Sequence, residues 1–279
     1  MQESRLFSFI DEKSAFTLHF LHGGKLIQDI VQVHNIGPMA YEFYRDSILT
    51  SMQMLNFMKA TENMGFYIDS DEPYFRLKIE MNEKGTMRTL LLPEEFEDFP
   101  KTVSGKARVT KAFPNKTPYS SVIQLKDHPA ADIVNQALKD SYQVQAKVSV
   151  GHADLSVMFS KLPPSKLSEK FEEIIDEPLE TFLETHKDLV PEIEKQDFVL
   201  KKADESSIIE FFTNKGLTYL GSKEVKFYCP CSKERMAANM ATLSENDLKD
   251  VFKEKESIEV RCDYCNTIYD INQSELKAQ

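Results

Sequence analysis

FYCPCSKERM, residues 227–236, and VRCDYCNTIYD, residues 260–270, contain all four cysteines of this 279-residue chain. The rest of the sequence contains none. The first stretch holds a C-x-C pair and the second, thirty residues later, holds a C-x-x-C pair: Cys229, Cys231, Cys262 and Cys265. Two close thiol pairs in one short region are typical of a metal site that organises a small module.

Zinc is the metal that this donor set predicts, because thiolates are its preferred ligands and four of them complete a tetrahedron. Pro230 is expected to bend the C-x-C pair toward the metal, and the residues between the pairs predict two short helices and a strand. Basic residues near the cysteines are expected to favour the thiolate form: Lys226, Lys233, Arg235 and Arg261. A four-thiolate site has no open coordination position, which argues against catalytic zinc.

The spacing leaves several roles open. Four free cysteines in an ordinary core are the weakest alternative, because such clustering is rarely accidental. A permanent structural zinc site is a stronger one. A redox switch is the third, since a C-x-C disulfide closes a small strained ring and strained disulfides are labile. Oxidation would then eject the metal and remove the energy that folds the module.

Composition restricts the class of protein. The formal charge of −11 disfavours a general nucleic-acid binder, which needs a basic face. The N-terminal segment has no signal-peptide pattern, and no apolar run is long enough to span a membrane. We therefore expect a cytoplasmic protein without nucleic-acid or membrane partners. Catalytic motifs of the common hydrolase, nucleotide-binding and metalloprotease types are missing, which predicts that the protein is not an enzyme.

Charge and proline placement predict three regions: 1–164, 165–222 and 223–279. Residues 165–200 carry eleven Asp/Glu against four Lys/Arg, and Pro163-Pro164 mark the start of this acidic part. It is predicted to be a helical linker with an apolar stripe: Leu167, Phe171, Ile174, Ile175, Leu179, Phe182 and Leu183. A second linker helix is predicted near Pro191, and a third between a capping Asp204 and Gly216.

The first region predicts an α+β core domain, with strands paired locally around helices. Period-two patterns predict strands at 15–22 and 25–35, and a hairpin at 74–92 that turns at Gly85. Further strands are predicted at 105–113, 120–126, 142–150 and 153–162, and a helix at 128–141. A long helix is predicted at 39–63, with one buried stripe: Tyr41, Tyr44, Ile48, Met52, Leu55 and Met58.

The cysteine-bearing tail resembles the zinc-binding tail of the redox-regulated chaperone family known as heat shock protein 33. That family has C-x-C, a spacer near thirty residues and C-x-x-C. The resemblance covers about fifty residues, and the matching positions are Cys229, Cys231, Ser232, Glu234, Arg235, Cys262, Asp263, Tyr264 and Cys265.

This resemblance implies an ATP-independent holdase that binds one zinc ion and is inactive when reduced. It also implies that oxidation forms the disulfides Cys229–Cys231 and Cys262–Cys265 and releases the zinc. The tail and linker would then unfold, the chain would form homodimers, and unfolding client proteins would be bound. The alternative from the residues alone is a binding protein of another class with a permanent structural zinc module.

Overall fold

The computed structural model describes residues 2–97, 99, 101–151, 153–162, 178–185, 202–253 and 255–277. The chain forms two compact units, Met1–Phe227 and Tyr228–Gln279. Both are mixed in secondary structure, which confirms the predicted α+β class. None of the helices in the described part of the chain is long and apolar enough to cross a membrane.

Two sheets form the frame of the first unit. The strands of one are β1 (Arg5–Asp11), β2 (Phe16–His22), β8 (Ala146–Val150), β9 (Leu155–Lys161) and β10 (Thr218–Glu224). The strands of the other are β3 (Asn63–Glu72), β4 (Tyr74–Asn82), β5 (Thr86–Leu92), β6 (Thr102–Ala112), β7 (Tyr119–Pro129) and β11 (Lys226–Phe227). Their orders are β10-β1-β2-β9-β8 and β11-β5-β4-β3-β6-β7. All neighbours are antiparallel except β11 and β5, which are parallel.

Three α-helices in the described part of residues 1–162 lie between the strands of the first unit along the chain. They are α1 (Gly24–Val33), α2 (Pro38–Met52) with a 3-10 turn at Gln53–Phe57, and α3 (Ile133–Ala137) with a π turn at Leu138–Tyr142. The predicted strand at 25–35 is wrong, because this segment is α1. Its buried residues Leu26, Ile27 and Ile30 have the i, i+1, i+4 spacing that puts side chains on one face of a helix.

The predicted helix at 39–63 is confirmed only in its first part. The helical chain ends at Phe57, and Asn63 already begins β3, which was not predicted. Four members of the predicted stripe are buried: Tyr44, Ile48, Met52 and Leu55. The other two, Tyr41 and Met58, are half-buried and pack against the same core. They pack with the inner face of the six-stranded sheet in the main hydrophobic core.

A second hydrophobic core lies on the other face of the five-stranded sheet. Eight apolar side chains of β1, β2 and β9 form this sheet face: Phe7, Phe9, Phe16, Leu18, Phe20, Leu155, Val157 and Phe159. Two helices of the predicted linker cover it, α4 (Leu179–Thr185) and α5 (Glu205–Thr213). The apolar side of these helices is therefore bound to the sheet rather than exposed to solvent.

The linker predictions have mixed outcomes. Asp204 caps α5 by accepting a hydrogen bond from the Ser207 N–H at 2.8 Å, and Gly216 follows the helix with φ +88°, as predicted. Strand β10 in the same region was not predicted; it pairs with β1. Leu167, Phe171, Ile174, Ile175, Pro163-Pro164 and the helix near Pro191 lie outside the described residues. The division into three regions stays a prediction.

Gly85 closes the predicted hairpin between β4 and β5 and offers a test of this turn. Its φ is +88°, and a Cβ atom here would collide with the carbonyl oxygen of Glu224. We expect Gly85→Ala to lower the free energy of unfolding by about 2 kcal/mol, measured by urea denaturation. Gly24→Ala is the matched control, because a Cβ at Gly24 meets no atom within 4 Å. Equal losses in the two variants would contradict this explanation.

The second unit contains two short helices and a hairpin: α6 (Lys233–Met240), α7 (Glu245–Val251), β12 (Ser257–Arg261) and β13 (Ile268–Asn272). A 3-10 turn, Gln273–Lys277, follows. The two helices and β12 were predicted, whereas β13 was not. Among the described residues of this unit the buried apolar core is small, consisting of Ala237, Met240, Phe252 and Ile271.

Candidate metal centre

The C-x-C pair lies directly before helix α6, and that helix start shapes it. The Ser232 side chain caps α6 by accepting a hydrogen bond from the Arg235 N–H at 3.3 Å. The Arg235 guanidinium reaches back and donates to the carbonyl oxygen of Pro230 at 2.7 Å. Arg235 thus fixes the bend between Cys229 and Cys231, a role different from the predicted electrostatic one.

The C-x-x-C pair lies on the turn between β12 and β13. The Cys262 N–H donates to the Thr267 carbonyl oxygen at 2.9 Å, and the Asn266 N–H donates to the Cys262 carbonyl oxygen at 2.8 Å. Asn266 has φ +57°, a left-handed conformation that asparagine tolerates. The backbone N–H groups of Tyr264 and Cys265 also donate to the Cys262 sulfur. This tight turn holds both sulfurs on one side of the hairpin.

The two turns bring the four sulfurs together. All four Sγ atoms lie within 4.8 Å of one another. Cys229 Sγ is 3.7 Å from Cys262 Sγ, and Cys231 Sγ is 3.2 Å from Cys265 Sγ. All four cysteines are free thiols, and both distances are far longer than the S–S bond of a disulfide, which is about 2.05 Å. A tetrahedral zinc ion with Zn–S bonds of about 2.3 Å separates its sulfurs by about 3.8 Å. The Cys229–Cys262 distance matches this value, and the Cys231–Cys265 distance is shorter, so binding of the ion requires Cys231 and Cys265 to move apart slightly.

The sulfurs differ in how readily they ionise. Burial raises the pKa of the Cys262 thiol, which is 3% exposed. Burial also opposes ionisation of Cys265, but hydrogen bonds from Thr267 and from the neighbouring thiols lower its pKa to about 7. The predicted cation Lys233 is paired with Glu275 at 2.8 Å. Hydrogen-bond donors, rather than the predicted lysine and arginine charges, therefore favour the Cys265 thiolate.

Two residues at the cluster were not predicted. The Thr267 Oγ1 atom lies 3.2 Å from Cys265 Sγ, and the Tyr269 hydroxyl lies 3.1 Å from Cys231 Sγ. The hydrogen bond to Cys231 raises the pKa of Tyr269. Thr267, Tyr269 and the buried Ile271 alternate, and this period-two pattern after the second cysteine pair is the signal that could have indicated β13.

No other cluster of this kind was found within the described ranges. The four cysteines are the single group there in which three or more His, Cys, Asp or Glu ligand atoms lie close enough to hold a metal ion. Histidine is a common metal ligand, but the ring nitrogens of the buried His19 have other partners. In the five-stranded sheet they contact Ser8 and Thr17 at 2.9 and 3.1 Å. Burial lowers its pKa to about 3, which agrees with a neutral packing residue.

Known proteins match the chain along nearly its whole length. Residues 4–272 match the family model described as Hsp33 protein. The 33 kDa chaperonin of Aquifex aeolicus is 23% identical, over 96% of this chain and 86% of the relative. The 33 kDa chaperonin of Agathobacter rectalis is 33% identical, over 62% of this chain and 59% of the relative.

A solved structure also has this fold. The crystal structure of the 33 kDa chaperonin (heat shock protein 33 homolog) from Thermotoga maritima matches with a TM-score of 0.75 and 17% identity. The match covers 99% of this chain and 97% of that one. The family model matches residues 4–272, and the fold and the four-cysteine tail agree with that match. The chain therefore belongs to the Hsp33 family.

Proposed function

We propose that this protein is a redox-regulated, ATP-independent holdase chaperone and not an enzyme. In the reduced form Cys229, Cys231, Cys262 and Cys265 hold one zinc ion, which stabilises the fold of the tail. Oxidation releases the zinc, and the protein then forms homodimers and binds unfolding client proteins. A cytoplasmic location is part of the proposal, because thiols stay reduced there until oxidants appear.

The main support is the cluster of four free thiols whose sulfurs lie within 4.8 Å of one another, close enough to hold one metal ion. Each thiolate pair gives two electrons to one peroxide molecule: a sulfur attacks peroxide, hydroxide leaves, and the second sulfur displaces another hydroxide as the S–S bond forms. Two peroxide molecules therefore convert the cluster to the disulfides Cys229–Cys231 and Cys262–Cys265. A disulfide no longer offers thiolate ligands, so the metal leaves.

The second core supplies a surface for clients. Five phenylalanines lie on the sheet face under α4 and α5, and an aromatic side chain buries about 150–250 Å². Release of the two helices would expose these rings as one apolar patch, and monomeric proteins rarely expose a contiguous apolar patch of more than a few hundred Å². Such a surface binds unfolded chains and also promotes pairing of two copies. The acidic charge of 165–200 would help the open form stay in solution.

The test is to treat the purified, reduced, zinc-loaded protein with peroxide at raised temperature. We expect release of one zinc ion per chain, loss of all four thiols, dimer formation and new suppression of the aggregation of a thermally unfolding enzyme. Dithiothreitol should reverse the thiol loss, and heat without peroxide should release no zinc. Zinc retention, or zinc release without any gain in aggregation suppression, would instead favour a binding protein with a permanent structural zinc module.

A further inference from the structure

A tyrosine hydroxyl joins the two halves of the sulfur cluster. Tyr269 Oη lies 3.1 Å from Cys231 Sγ. Tyr269 belongs to β13 and pairs with Val260 of β12, so it is held by the hairpin whose turn carries the C-x-x-C pair. Cys231 belongs to the other pair. The bond therefore connects the C-x-C segment to the hairpin without passing through a metal ion.

The tyrosine ring is held in place by the tail's own core. The side chain is half-buried and packs against the cluster formed by Ala237, Met240, Phe252 and Ile271. This packing places the hydroxyl within hydrogen-bonding distance of the Cys231 sulfur. A cysteine that binds a metal ion does so as a thiolate, which only accepts hydrogen bonds, whereas a neutral phenol has one hydrogen to donate. With Cys231 as a metal ligand, Tyr269 would therefore be the donor of this bond.

We propose that Tyr269 is a positioning residue that slows both metal loss and the reaction of Cys231 with peroxide. This inference rests on the proposed function. The hydrogen bond holds Cys231 in place as a ligand, as partners of metal ligands commonly do. It also engages a lone pair of the sulfur, and the sulfur needs a lone pair to attack peroxide. In that step an S–O bond forms, the O–O bond breaks and hydroxide leaves. Tyr269 thereby raises the amount of oxidant needed to open the cluster.

The experiment compares the full-length wild type with Tyr269→Phe, which keeps the ring and removes the hydroxyl. Zinc affinity is measured without oxygen by competition with a coloured chelator, and we expect it to fall about tenfold. Peroxide is then added, and differential alkylation with mass mapping follows each cysteine. We expect Cys231 to react several-fold faster in the variant. Tyr228→Phe is the control: Tyr228 adjoins Cys229 but is 56% exposed, and the variant should match the wild type.

The outcomes separate this inference from the proposed function. Equal zinc affinity and equal Cys231 reactivity in Tyr269→Phe and wild type would overturn the role of the hydroxyl. So would a uniform gain at all four cysteines together with faster hydrogen exchange throughout β13, because that pattern indicates lost packing. If the wild type retains its zinc in peroxide, the proposed function fails, while the oxygen-free affinity comparison still decides whether Tyr269 supports the metal site.

Discussion

Replacing Cys262 by serine is expected to unfold the C-terminal unit even in the reduced protein. Four buried apolar residues form its core in the described part of the chain, and domains this small usually need a metal or disulfides to fold. Structural zinc contributes about 10–16 kcal/mol in comparable small modules. Cys262 is the most buried of the four cysteines, and serine is a poor zinc ligand. Hydrogen exchange should show α6 and β12 unprotected, and metal analysis should show no bound zinc.

Two controls separate ligand loss from local damage. Asp263→Ser places serine at the adjacent exposed position and should leave zinc content and exchange protection unchanged. Removal of zinc from the reduced wild type by a chelator should reproduce the exchange pattern of Cys262→Ser. The strands of the first unit should stay protected in every case. A Cys262→Ser variant with bound zinc and a protected hairpin would show that the tail folds without a complete thiolate set.

Features set by a few neighbouring residues were the ones that the sequence allowed us to predict. Within each cysteine pair the two sulfurs come together because the pair lies on its own tight turn, and the turn chemistry is local. The same holds for the Asp204 cap, for Gly216 after α5 and for the hairpin at Gly85. In each case the signal and the structure involve residues within a few positions of each other.

Features that depend on distant pairing were missed. Strand β10 exists because Arg5 to Ile10 pair with residues more than two hundred positions later, and a single sequence carries no sign of that register. The α1 segment has apolar residues at both strand-like and helical spacings, so only the core that receives Leu26 and Ile30 decides between them. The contact of Tyr269 with Cys231 likewise depends on the register of β12 and β13, which the cysteine spacing does not specify.

Replacing Phe212 by alanine is expected to release α5 from the sheet while zinc stays bound. The Phe212 ring is fully buried and lies 4.7 Å from the Phe9 ring and 5.1 Å from the Phe20 ring. Truncation of a buried phenylalanine costs about 3–5 kcal/mol. If the whole loss reduces the free energy that holds α5 on the sheet, the population of molecules with α5 undocked rises at least a hundredfold. The reduced variant should then bind an apolar fluorescent dye and suppress client aggregation in part without peroxide.

Phe211→Ala is the matched control, because Phe211 is the neighbouring phenylalanine but is only half-buried. It should cost less stability and leave the reduced protein inactive. Zinc content and the four free thiols should be the same in both variants, which would show that the sheet face, and not the oxidised cysteines, binds the client. A reduced Phe212→Ala protein that loses stability but gains neither dye binding nor aggregation suppression would contradict this. The client surface would then have to lie elsewhere, since uncovering the part of the sheet face under α5, with Phe9 and Phe20, would have had no effect.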